Sequence, residues 1–472
     1  MKALLPVKLI ILFTYLVSCA ETENGSSVSI DTAVTKPVTP SAIIKDTFET
    51  GKVISHVTSI ADPSQSYALY IPASKQSEIM PVIYFFDPHG DGALPLNKYN
   101  KLADRYHFIL VGSNNSKNGN DFTTSENIWN ALYNDTKRRL SINHNRIYAC
   151  GFSGGAKVAG YIALNYPEVK TVIAGGAGLP DATQPGNFSF NIVIIAGKGD
   201  MNMSDLVLFN AALDKTQTKH SLVFFDGKHE WAPENTMNKA FAGIQFDAMR
   251  GQAFPLDTLF ISKYSKDGRN KITDYLKAGN YLRAEEECQL NIKQLQDLSA
   301  EVNWFKQKDS LIKANPAYKK EKGANQQLLA TEQDMKEQYR QKFQQADMNY
   351  WTATIHDLQL KAKPTTADGA MHQRLIAYLS LVFYSISNQL ISSHRDSEAR
   401  YFVDLYKLDD ATNAEAWYFS AILNARNNNA EAVKEDLQKA VSIGFNDKTR
   451  LEQQPEFKNI SLNLQEIESK MN

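Results

Sequence analysis

Between residues 45 and 251 short apolar runs alternate with amphipathic stretches whose apolar positions repeat every three to four residues. The runs at 52–59, 67–71, 82–86, 108–112, 146–150, 171–174, 192–196 and 222–225 predict strands. Several, such as Val82-Ile83-Tyr84-Phe85-Phe86 and Ile192-Val193-Ile194-Ile195-Ala196, carry no polar face. That is expected of strands covered on both sides in a mostly parallel sheet. The stretches near 97–106, 125–140, 154–166, 204–216 and 234–250 predict the intervening helices. Alternation of this kind implies an α/β fold, a doubly wound, mostly parallel sheet with crossover helices.

After Pro255 strand signal almost disappears, and helix formers dominate to the end of the chain. The segment 416–440 reads as two helices around a polar turn, Asn427-Asn428-Asn429, with Trp417 large, Ala421 and Ala440 small, and Leu437 apolar. The spacing resembles a tetratricopeptide repeat, in which small residues let paired helices approach. Val433 departs from that pattern, and no closing proline follows. Residues 375–408 are a weaker preceding pair, and 275–295, with Gly279-Asn280-Tyr281 as turn, another. A non-repetitive all-α bundle is the alternative. Residues 306–345 are strongly polar with little apolar stripe, which predicts a long exposed helix or a mobile connection.

At the N-terminus Lys2 and Lys8 precede the apolar run Leu9–Val17, which is short for a membrane span and matches the core of an export signal. The following Leu16-Val17-Ser18-Cys19-Ala20 resembles a bacterial lipobox. That resemblance implies cleavage before Cys19 and a lipid on its sulfur, hence an outer-membrane or periplasmic lipoprotein of the cell envelope. The Ser/Thr/Pro-rich stretch behind it lacks the large apolar residues needed to order itself and reads as a tether. The expected organisation is therefore 1–18 signal peptide, 19–44 tether, 45–252 α/β domain, 253–360 helical connection and 361–472 tetratricopeptide-like domain.

Charge narrows the partners. Lys+Arg number 51 and Asp+Glu 52, so the formal charge is -1 and offers no electrostatic reason to expect nucleic acid. The three cysteines are Cys19, Cys150 and Cys288, and no CxxC or His/Cys cluster has metal-ligand spacing. A structural zinc is therefore not expected. Cys150, inside an apolar run, is expected to be a buried core residue.

The chemistry concentrates around Gly151-Phe152-Ser153-Gly154-Gly155-Ala156, which follows the strand at 146–150 and opens a helix. A G-x-S-x-G sequence has meaning in that context: the turn is tight enough to require glycines two before and two after the serine, and it lifts the hydroxyl above the sheet. A serine hydroxyl needs a base oriented by an acid. Downstream, the strand at 192–196 runs into Gly197-Lys198-Gly199-Asp200, and that at 222–225 into Asp226-Gly227-Lys228-His229-Glu230-Trp231. Asp200 and His229 thus fall at the strand ends where ligands bind in open α/β sheets. Asp226 is the rival acid. His220, before its strand, is expected at the opposite edge on the surface, and Asp205 lies within the following helix. Gly154 N–H is one expected oxyanion donor. The other is the N–H of Gly90 or Asp91, in the glycine-containing loop Asp87-Pro88-His89-Gly90-Asp91-Gly92. His89 shapes that loop rather than acting chemically. Phe122, Trp129, Tyr161 and Trp231 are either core residues or an apolar, sugar-stacking wall, and the polar loop 113–124 is placed to shape or cover the pocket.

These pieces, in this order, resemble the α/β-hydrolase superfamily, near its esterase and dienelactone-hydrolase-like branch, over about residues 45–250. The resemblance implies acyl transfer by Ser153, His229 and Asp200 with no metal or organic cofactor; the leading reading is a lipid-anchored esterase acting on small or polysaccharide-linked esters. Lys198 and Lys228 beside the acid and base depart from the pattern, as an anionic-substrate site or as solvated charges. Two other readings stay open: a peptidase of the same fold, and a non-catalytic scaffold whose helical repeats recruit a protein partner.

Overall fold

Each of the eight apolar runs forms a strand in the computed structural model, which describes residues 47–73, 79–181, 183–363 and 365–471. The signal-like run, Cys19 and the tether at 19–44 lie outside the described residues. In chain order the first part contains β1 (Ile54–Thr58), β2 (Ser66–Tyr70), β3 (Met80–Phe86), α1 (Ala93–Tyr106), β4 (Ile109–Ser113), α2 (Phe122–Arg139), β5 (Ile142–Phe152), α3 (Gly154–Asn165), β6 (Val169–Gly175), β7 (Asn191–Gly197), α4 (Met203–Leu213), β8 (His220–Phe225) and α5 (Glu234–Arg250). The strands make one eight-stranded sheet in the order β1-β2-β4-β3-β5-β6-β7-β8. β2 is antiparallel to β1 and β4, whereas β4, β3, β5 and β6 pair parallel. β3 and β4 are buried along their whole length, as their lack of a polar face requires. β5 is longer than its apolar run because the polar Asn143-His144-Asn145 continues the extended backbone back to Ile142, which pairs with Met80.

Tertiary contacts divide the chain into two compact units. Of the described residues, one comprises those up to Ile194 together with Ala212–His220 and Met237–Phe254; the other comprises Ile195–Ala211, Ser221–Thr236 and those from Pro255 onward. In the first, α1 packs on β2 and β4, and α3 on β3, β5 and β6. Its core holds Trp129, fully buried, edge-on to Tyr84 and stacked on Tyr133.

The second unit is helical after Pro255: α6 (Thr258–Lys277), α7 (Tyr281–Leu295), α8 (Val302–Ala314), α9 (Pro316–Lys342), α10 (Met348–Lys361), α11 (Ala367–Ser392), α12 (Asp396–Asp409), α13 (Ala414–Arg426) and α14 (Ala430–Ser442), then the short α15 (Lys448–Gln453), α16 (Pro455–Lys458) and α17 (Leu464–Glu468). The expected helical pairs form: α6 with α7, α11 with α12, and α13 with α14 across a turn whose Asn428 is left-handed (φ 54°). Ala421, Val433, Leu437 and Ala440 are buried, so the valine is accommodated where a smaller residue was the pattern. α11 is long and apolar enough by composition to cross a membrane, yet it packs against α9, α10, α12 and α13 and carries a buried Arg374.

Residues 306–345 differ from the expectation of one exposed helix or a mobile connection. They form the end of α8 and the 27-residue α9, separated at Asn315, whose side chain caps α9 ahead of Pro316. Although α9 is mostly exposed, Glu332 and Lys336 on it are completely buried.

Asp409, at the end of α12, is buried with neither carboxylate oxygen hydrogen-bonded. Burial, and then the neighbouring Asp410, push its carboxyl well above the ordinary range. A raised folded-state pKa means the folded chain holds more protons than the unfolded one, so this group's contribution is most favourable below the ordinary carboxylate pKa and is lost as pH rises. Asp409→Asn is therefore expected to raise the unfolding midpoint at about pH 8 and to leave it unchanged near about pH 3, by thermal denaturation at both.

Candidate active site

Ser153 links β5 to α3 with φ 53° and ψ −122°, a conformation rarely adopted by a residue with a side chain. Its N–H donates to Gly175 O at 2.8 Å, tying the elbow to the end of β6. The flanking glycines are required sterically. A Cβ on Gly155 would stand 1.9 Å from Phe86 O, and one on Gly151 2.0 Å from Gly155 O. The backbone therefore crosses itself at a distance only glycine permits. Cys150, one residue ahead of the elbow, is fully buried and burial pushes its thiol pKa well up, so it is no rival nucleophile.

The loop after β3 folds around the buried Asp87, whose side chain accepts from His89 N–H at 2.8 Å. Gly90, with φ 78°, donates its N–H to Asp87 O at 3.2 Å, so this amide is engaged within the turn. Asp91 accepts from Ala93 and Leu94 N–H and starts α1. The His89 side chain is 84% exposed. The loop 113–124 reaches both features: Asn118 N–H donates to Pro88 O at 2.8 Å, and a Cβ on Gly154 would lie 1.9 Å from Asn118 Oδ1. Asn118 thus sets its side-chain amide against the residue after the serine, and no motif in the sequence marked it. Of the four aromatic candidates, Trp129 and Trp231 are buried, while Phe122 and Tyr161 stack at 4.5 Å with Phe122 44% exposed.

In the second unit the ends of β7 and β8 hold the proposed acid and base together. Lys198 N–H donates to Phe225 O at 2.9 Å and Gly199 N–H to Gly227 O at 2.8 Å, so the two loops leave the sheet side by side. A Cβ on Gly197 would lie 2.4 Å from Lys228 O, and this close approach is what glycine provides there. Asp200, 1% exposed, accepts at Oδ1 from Asn202 N–H (2.8 Å) and lies at Oδ2 2.9 Å from His229 Nδ1. A carboxylate only accepts, so Nδ1 is the N–H and a neutral His229 keeps its lone pair on Nε2.

The other candidates have other partners. Asp226 is bound by Arg283 at 2.5 Å, and Asp205 by Lys336 at 2.9 Å. His220 is not a surface residue: its side chain is 7% exposed, with Nε2 2.9 Å from Asp214 and Nδ1 2.8 Å from Thr218 O, which fixes the ring at the start of β8. Lys198 pairs with Glu286 at 3.4 Å; burial raises the Glu286 carboxyl while Lys198 pulls it back. That pairing spends one of the two cations considered for an anionic substrate. Among the described residues no group of three or more His, Cys, Asp or Glu side chains is gathered to hold a metal ion.

No protein-family model matches the chain, and no curated protein sequence does. Several solved structures align with part of it. A hyperthermophilic esterase from the archaeon Pyrobaculum calidifontis aligns over 42% of this chain and 87% of its own, at 12% identity and TM-score 0.35. One of two fungal esterases from Rhizomucor miehei aligns over 42% and 84%, at 15% identity and TM-score 0.34. The acylaminoacyl peptidase of Pyrococcus horikoshii aligns over 39% of each chain, at 12% identity and TM-score 0.30. The fold is of the α/β-hydrolase type. It is read from the parallel sheet, its strand order and the serine elbow between β5 and α3.

Proposed function

We propose that the protein is a serine hydrolase that cleaves carboxylic esters through an acyl-enzyme, with Ser153 as nucleophile, His229 as base and Asp200 as the acid that orients it. The observation that carries this reading is the backbone of Ser153, held at φ 53° between strand and helix. Strain at a non-glycine residue persists only where the surroundings over-determine it, and such residues gather at functional sites. The Asp200–His229 bond supports the same reading, because it orients the imidazole and fixes its tautomer.

In this mechanism His229 Nε2 takes the Ser153 proton as Oγ attacks the ester carbonyl, and the oxyanion is held by backbone amides. Gly154 N–H, in the first turn of α3, is one donor and is assisted by the helix dipole. Gly90 N–H is committed to Asp87 O, so the second donor in this proposal is Asp91 N–H. His229 then protonates the leaving alcohol and activates the water that releases the acid. Treatment of the protein with a fluorophosphonate probe is expected to modify Ser153, with hydrolysis of short acyl esters lost in parallel. An unmodified Ser153 in a protein that nevertheless hydrolyses esters would remove this assignment.

The proposal retains a lipid on Cys19 holding the enzyme to the bacterial cell envelope. Cys19→Ser is expected to move the protein from the membrane fraction to the soluble one; an unchanged distribution would leave the anchor without support.

A further inference from the structure

We infer that Glu332, Lys336 and Arg374, on α9 and α11, are positioning residues for the acid Asp200. The inference rests on the assignment of Asp200 and His229 above. Its starting point is the polar cluster buried where these helices meet the loop after β7. Glu332 and Lys336 are 0% exposed and Arg374 5%. Arg374 holds Glu332 Oε2 with Nε (3.0 Å) and Nη2 (2.6 Å). Lys336 stands 3.5 Å from the other Glu332 oxygen.

All three side chains turn toward the segment that carries Asp200. Arg374 Nη1 donates to Lys198 O at 2.9 Å, and Lys336 Nζ donates to Met201 O at 2.7 Å. Lys336 also bonds Ser204 Oγ at 3.0 Å and Asp205 Oδ2 at 2.9 Å. Ser204 Oγ in turn donates to Glu332 Oε1 at 2.9 Å. The segment is thus held two residues before Asp200 and one, four and five residues after it. Its own backbone is tied to the end of β8 ahead of Asp200, through Lys198 and Gly199 N–H, and from Asp200 onward adds the turn bonds Asp200 N–H to Gly197 O at 3.0 Å and Met203 N–H to Asp200 O at 2.9 Å.

The physical chemistry favours a placement role over a stability role. Dehydrating two cations and the Glu332 carboxylate is costly, and apolar residues of similar volume usually stabilise a core at least as well. What apolar residues do not supply is donors for the carbonyls of Lys198 and Met201. With those carbonyls fixed, the Asp200 carboxylate meets His229 Nδ1 at 2.9 Å from a rigid backbone. A displacement of about 1 Å at such a site costs on the order of 10²-fold in rate.

The test uses the full chain and compares Lys336→Met, Glu332→Gln and Arg374→Met with wild type, active sites being counted by fluorophosphonate titration. Lys361→Ala, which breaks an exposed ion pair on α10, is the control. The expected result is a fall in kcat per titrated site of about 10–100-fold with KM within about 2-fold, and no change in the control. The low-field proton resonance of the Asp200–His229 hydrogen bond should broaden or vanish in the same variants, and Arg374→Lys should recover part of both signals. Folded variants with wild-type kcat and an intact resonance would overturn the inference. Should one variant fail to fold, Arg374→Lys and Arg374→Gln decide it by the same two readouts. If wild type itself neither hydrolyses esters nor reacts with the probe, the functional reading fails. The resonance in wild type and variants still reports whether the cluster holds the Asp200–His229 pair.

Discussion

Ser153→Ala is expected to lower kcat for acyl-ester hydrolysis by about 10⁴–10⁶-fold, leaving only what oxyanion stabilisation and binding provide without a nucleophile. The loss should fall on kcat, because the hydroxyl is used in the bond-making step and not in holding the substrate. The backbone makes a second consequence testable. Alanine inherits the φ of 53° and so keeps the strain, whereas Ser153→Gly is released from it. The glycine variant should be equally inactive yet more stable, by about 1 kcal/mol in denaturant unfolding. A glycine variant no more stable than alanine would mean the elbow stores no strain at this residue. His89→Ala should stay within about 3-fold of wild type, since the exposed imidazole lies outside the proposed chemistry. Equal turnover by Ser153→Ala and wild type would end the enzyme reading and leave the scaffold, in which the helical pairs serve a partner.

The elements legible from the sequence were those whose information is local. β3 and β7 announce themselves as unbroken apolar runs because burial on both faces leaves no position for a polar residue. The elbow is legible because Gly151 and Gly155 answer to contacts within a few residues and with the end of β3. The preference for Asp200 over Asp226 rested on its position at the end of a strand. The bond from Arg283 to Asp226 is tertiary and had no local signal. The same holds for Glu332 and Lys336. A glutamate four residues before a lysine on a polar helix is the pattern of a solvated pair, and nothing nearby distinguishes this buried one. Arg374 carried a partial signal, as a lone cation in the apolar α11, which asks for a buried partner. His220 misled for a similar reason, since its position ahead of the apolar run at 222–225 said nothing of Asp214 folding back on it.

The acid supplies the other large effect. Asp200→Asn is expected to reduce kcat at neutral pH by about 10⁴-fold without disturbing the fold. Asp200 accepts two hydrogen bonds from fixed directions, Asn202 N–H at one oxygen and His229 Nδ1–H at the other. An asparagine has one oxygen and one NH₂ group to meet them. Asn202 N–H is a backbone donor and cannot reverse, so it takes the oxygen and leaves the NH₂ facing His229. The ring must then accept at Nδ1 and carry its hydrogen on Nε2, the nitrogen that is to receive the serine proton. The base is thereby present but in the wrong tautomer. The low-field Asp200–His229 resonance should be lost in the same variant. Asp226→Asn should leave the rate within about 2-fold, because that carboxylate is half of an exposed pair with Arg283. Stopped assays of both variants beside wild type give opposite patterns for the two candidate acids: a large loss in Asp226→Asn with wild-type turnover in Asp200→Asn would move the acid to the loop after β8.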